Sequence, residues 1–149
     1  MPLHASIHYN GWGSFPNPNG YTLERVHVPW EGAYVRRVVT LDAIEAAMRP
    51  FHDCDCPIDQ RVGAYLTDDL GAMIPFYELE KAGAFMPGVA RGVDFTTGRV
   101  AAGAAELRDE IVLAWRASAE AKVGYQPELS VSDVESGKID PYDSLYGDD

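Results

Sequence analysis

Hydrophobic and polar positions change character repeatedly along the chain, and each change predicts a new element. From Met1 to Gly20 the run is broken by Gly11, Gly13, Pro16, Pro18 and Gly20, which stop any helix or long strand, so this stretch reads as an irregular arm. From Tyr21 the segments YTLERVHV and YVRRVVTL are rich in β-branched and aromatic residues. They are separated by Pro29-Trp30-Glu31-Gly32-Ala33, which predicts an antiparallel hairpin, with a bulge where the alternation slips between Leu23 and Val26.

Thr40 then has the chemistry of a helix N-cap. Asp42 and Glu45 follow it near the positive end of the dipole, Leu41, Ile44 and Met48 mark one apolar face, and Pro50 is the stop. RVGAYLT, Arg61 to Thr67, reads as a strand ended by Asp68-Asp69-Leu70-Gly71. Pro75 opens a short helix through FYELEKA, closed by Gly83. The longest periodic stretch is Val100 to Lys122, with Val100, Ala104, Leu107, Ile111, Ala114 and Trp115 on one face and Gly124 as the stop; Gly103 inside it suggests close approach of a neighbouring strand. Together these elements predict an α+β fold: a small, mostly antiparallel sheet between Tyr21 and Phe95, covered by one long C-terminal helix. The domain division that follows is an arm (1–20), a single α+β domain (21–124) and an acidic tail (125–149).

Length and composition support one domain rather than two, since 149 residues with 46% hydrophobic content suffice for one core. Charge narrows the partners. A formal net charge of -11 disfavours nucleic acid and anionic membranes, both of which require clustered Lys and Arg. No basic n-region leads into an apolar stretch and no window is long enough to span a bilayer, which predicts a protein of the cytoplasm or of the interior of an assembled particle. The tail concentrates the charge: Glu128, Asp133, Glu135, Asp140, Asp143, Asp148 and Asp149 face only Lys138, a net -6. Such a composition favours disorder, yet Leu129, Val131, Val134, Ile139, Tyr142, Leu145 and Tyr146 are spaced through it as potential anchors.

Candidate chemistry is sparse. His52, Cys54 and Cys56 in HDCDC fall at alternate positions, and an extended chain would project imidazole and two thiols from one face, a donor set suited to zinc or copper. The one-residue Cys spacing departs from the C-x₂₋₄-C zinc turn, and a fourth ligand would have to come from His4, His8, His27 or a carboxylate. A disulfide across one residue closes a tiny loop and is not expected. Asp53 and Asp55 make no acid/base pair by themselves. No serine lies in G-x-S-x-G, the glycines of GWGSFPNPNG lack phosphate-loop spacing, and the acids of DVESGKIDPYDS do not follow a calcium loop.

What is left is the pair of ends. Trp12 and Phe15 in the arm, with Tyr142, Asp143, Leu145, Tyr146 and Asp148 in the tail, offer aromatic area and charge of the kind that interfaces use. The expectation is a non-enzymatic interaction or assembly subunit that binds other protein subunits through extended termini, for example in a virion or another multisubunit particle, with no cofactor. The competing readings are an acidic inhibitor or immunity-type protein covering a basic site, and a small metal-binding or redox enzyme built on His52, Cys54 and Cys56, with zinc as its metal.

Overall fold

In the computed structural model, which describes residues 12, 15–119, 121 and 129–146, the chain is helical over 64% of its described length, and the described residues form no β-sheet. The helices are α1 (Val28–Val35), α2 (Arg36–Val38), α3 (Leu41–Ala47), α4 (Ile58–Gly71), α5 (Met73–Lys81), α6 (Ala90–Ala117), α7 (Val131–Glu135) and α8 (Pro141–Tyr146). The expected α+β sheet is therefore overturned. Two compact units divide the chain, residues 1–106 and 107–149.

The correction has a readable cause in the first unit. Val26, Trp30 and Tyr34 are buried and Val38 packs against them, so the row repeats every four residues, as on a helix, and not every two. The supposed hairpin loop is the middle of α1, which is wound with the wider π-helical turn, has Pro29 in its first turn and runs directly into α2. β-Branched content argued for strands here, and burial of one face against a core won. RVGAYLT, also read as a strand, lies inside α4, where partly buried Val62 and Tyr65 and buried Asp69 share a face.

Where local chemistry decides, expectation and structure agree. Thr40 caps α3, its Oγ1 accepting from the Ala43 N–H at 3.3 Å. None of α3 is buried, however, and Leu41 is 68% exposed. α5 ends before Gly83, whose φ of 67° lets Ala84 N–H turn back to Leu79 O at 2.8 Å.

An aromatic cluster holds the unit together. Trp30, Phe76, Phe85 and Phe95 meet with ring centroids 5.0 Å (Trp30–Phe76), 5.1 Å (Phe76–Phe85) and 6.2 Å (Phe85–Phe95) apart. The Trp30 indole N–H, buried with them, donates to Thr96 Oγ1 at 3.2 Å. The glycine- and asparagine-rich stretch before Tyr21 delivers that ring to the core. Asn17 brackets Tyr21, accepting its N–H at 2.9 Å and donating to its carbonyl at 2.8 Å. Tyr21 then packs 5.8 Å from Tyr77, and its hydroxyl donates to Glu78.

α6 starts ten residues earlier than the periodicity predicts. Its deeply buried positions, Gly92, Thr96, Thr97, Ala101, Ala105 and Asp109, are all small or polar, while Leu107 (62%), Ile111 (60%) and Trp115 (46%) are exposed. Small residues let neighbouring chain come close. A side chain at Gly92 would run into the Ala84 carbonyl, and one at Gly103 would sit 3.3 Å from the Tyr65 hydroxyl of α4, a helix where a strand was expected.

In the second unit the segment after α6 folds back on that helix's end. Leu129 is buried, Ser132 N–H donates to Ala119 O at 3.2 Å, and the Trp115 indole N–H donates to Glu135 on α7. α7 stops at Gly137, φ 71°. Lys138 closes the turn on Asp133 at 2.6 Å, and that hydrogen bond raises the Lys138 pKa. Asp140 Oδ1 accepts the Tyr142 N–H at 2.8 Å at the start of α8.

Candidate functional site

Three places carry the chemistry worth weighing: the cysteine segment, a groove beside α4 and α6, and the exposed apolar rows.

The cysteine segment is the connection between α3 and α4. Arg49 fastens its front to Glu106 at 2.8 Å, and Arg61, on the first turn of α4, fastens its rear by donating to the Cys56 carbonyl. Between those points Cys54 and Cys56 are joined in a disulfide, with Cα atoms 5.2 Å apart, so the bond that the sequence reading set aside is present. Alternate positions share a side, and a bend that shortens the Cα separation below that of an extended run brings the two sulfurs within bonding reach. Closing so small a loop contributes about 1.6 kcal/mol of unfolded-chain entropy, roughly half that of a 15-residue loop. Both sulfurs being bonded, neither serves as a thiolate ligand in this state. Among the described residues no group of three or more His, Cys, Asp or Glu side chains is arranged for a metal ion. His27, named as a fourth ligand, pairs with Glu31 at 3.2 Å, and His4 and His8 lie outside the described residues.

The groove, about 500 Å³ in volume, is walled by Asp68, Gly71 and Pro75 on one side and Asp94, Phe95 and Arg99 on the other. Arg99 is engaged with Asp68 at 2.8 Å. Nearby, burial and then the Asp69 carboxylate push the Tyr65 phenol above its ordinary pKa. The described walls carry two carboxylates, Asp68 and Asp94, and no histidine, cysteine or hydroxyl side chain.

The predicted interface residues divide between the two units. Trp12 is half-buried and packs on Tyr21 (5.2 Å) and Tyr77 (5.7 Å), in the first unit's core. Phe15 is 66% exposed, and Tyr142 and Asp143 are exposed on α8. Leu145 and Tyr146 lie on α8 by backbone, and Asp148 is outside the described residues. Sequence reasoning missed Arg61 altogether and assigned Leu107, Ile111 and Trp115 to the buried face. It also missed Leu66, Leu70 and Ile74, a row at four-residue spacing on α4 and α5 that is at least 36% exposed at every position, although that spacing was there to be read. Among the described residues no helix is long and apolar enough to cross a membrane. No protein-family model, curated protein or solved structure matches the chain.

Proposed function

We infer that the protein is a non-enzymatic interaction subunit that binds another protein subunit within a larger assembly, a virion being one such setting, in the cytoplasm or inside the assembled particle. The observation that carries this reading is the row Leu107, Ile111 and Trp115. Three large apolar side chains stand at i, i+4 and i+8 on one helix face, each 46% or more exposed. Contiguous apolar surface of that kind marks helix-in-groove recognition more often than solvent. The partner surface is apolar with a basic rim, because the chain carries -11 overall and like charge across an interface costs affinity. In the same unit, Tyr142 and Asp143 on α8 are also exposed and available to a partner.

The test is cross-linking in the native source to identify the neighbour, followed by binding of purified Ile111→Asp to it. A loss of affinity of about tenfold or more, with helix content unchanged by circular dichroism, is the expected result. Unaltered binding by the variant, or a chain that cross-links to no subunit, overturns the reading.

A further inference from the structure

We propose that Cys54 and Cys56 form a thiol–disulfide exchange site that oxidises neutral or basic peptide dithiols and is returned to the disulfide by a low-molecular-weight disulfide. This lies beyond the binding role and does not depend on it.

Four observations converge on the site. The bond encloses a single residue, Asp55, so it joins parts of the chain that are already neighbours and constrains the unfolded state little. It sits in the irregular connection between α3 and α4, where Cys54 and Cys56 are half-buried between exposed His52, Asp53, Asp55 and Pro57, so an incoming thiolate can approach from solvent. The Arg49–Glu106 and Arg61–Cys56 contacts hold the segment from both sides independently of the sulfur bond, so opening it leaves the fold in place. Finally, the Arg61 guanidinium is bound at the backbone of Cys56, two residues before α4 begins, and its positive charge favours Cys56 as the departing thiolate.

The exchange balances without any other group. A substrate thiolate attacks Cys54 Sγ, the Sγ–Sγ bond breaks, and its electron pair leaves on Cys56 Sγ. The second substrate thiol, deprotonated by solvent, attacks the substrate sulfur of the mixed disulfide and expels Cys54 thiolate. Two electrons have passed to the protein, the substrate holds a new disulfide, and the cysteine thiolates take protons from water. A small neutral or cationic disulfide such as cystamine reverses the steps on the protein side, the two electrons leaving on its pair of free thiols. Exposed Asp53, Asp55 and Asp59 around the site set the substrate class by repelling anionic thiols.

The experiment equilibrates the full chain in glutathione buffers of varied reduced-to-oxidised ratio, quenches with acid, alkylates free thiols and reads their number by mass. The expected result is a reversible passage between dithiol and ring disulfide within the accessible ratios, with circular dichroism unchanged. Reduction by dithiothreitol should slow about threefold in Arg61→Gln and recover in Arg61→Lys. The cysteamine-to-mercaptoacetate rate ratio, per thiolate, should fall about fivefold from low to high salt, the change in the ratio separating charge from the two thiolates' different nucleophilicities. Cys56→Ser should stop at glutathionylated Cys54. A bond that stays closed in excess reduced glutathione until the protein unfolds overturns the proposal, as do cysteines that never close the ring in excess oxidised glutathione. An Arg61→Gln rate equal to the native one removes the assigned role of Cys56 as leaving group.

Discussion

Replacing Gly92 by alanine tests the packing of the first unit at its tightest point. The added methyl would collide with the Ala84 carbonyl and lie 2.7 Å from the Tyr34 hydroxyl, about 0.5 Å or more inside ordinary contact. Neither neighbour yields easily. The Ala84 carbonyl is backbone in the tight connection between α5 and α6, and Tyr34 is 4% exposed, its ring 5.4 Å from Phe85. Overpacking against backbone costs about 3 kcal/mol, at the upper end of its usual range, and the helix propensity gained by alanine returns about 1 kcal/mol, leaving a net loss of about 2 kcal/mol. For a chain of this size that is a fall in Tm of roughly 6 °C. The same substitution at Gly98, one and a half turns along α6 with nothing within 4 Å, meets no obstacle and should gain about 1 kcal/mol. At Gly103, 3.3 Å from the Tyr65 hydroxyl, the two effects should nearly cancel, because a half-buried phenol can shift by a few tenths of an ångström. Thermal unfolding followed by circular dichroism orders the three variants. Gly92→Ala as stable as Gly98→Ala would refute the close approach of α6 to the Ala84 turn, and with it the arrangement of the aromatic cluster beside it.

Two further predictions probe polar groups. Thr96→Val keeps the shape of the fully buried side chain but removes the acceptor of the Trp30 indole N–H, and should cost about 1–3 kcal/mol in urea unfolding, whereas Thr96→Ser, which keeps the hydroxyl, should cost less. Burial raises the Glu80 pKa, so its charged form is the disfavoured one in the fold: the associated stability is complete below the ordinary carboxylate range and is lost as pH rises through the raised value. Glu80→Gln should therefore be more stable than the native chain near pH 7, by less than about 1 kcal/mol, and indistinguishable from it at about pH 3. A variant less stable at neutral pH would show that a favourable charge contact outweighs the burial.

Local chemistry was legible in the residues themselves. Thr40 as a cap, Gly83 as a stop and the amphipathic run through Val100 to Ala117 depend on bonds within one or two turns, and those hold in any fold that contains the helix. The sheet was misread because β-branched residues pack equally well on a buried helical face. Only the four-residue row Val26, Trp30, Tyr34, Val38, weighed above composition, pointed the right way. The tertiary structure alone decided which positions of α6 are buried. A hydrophobicity pattern assumes that the largest apolar side chains turn inward, whereas the buried positions of α6 are small or polar, Gly92 among them because it permits backbone approach, and Leu107, Ile111 and Trp115 stay outside. HDCDC divides the same way: the sequence determined which donors are present, and only their arrangement in space joined two of them in a disulfide and brought Arg61 from the next helix to stand beside it.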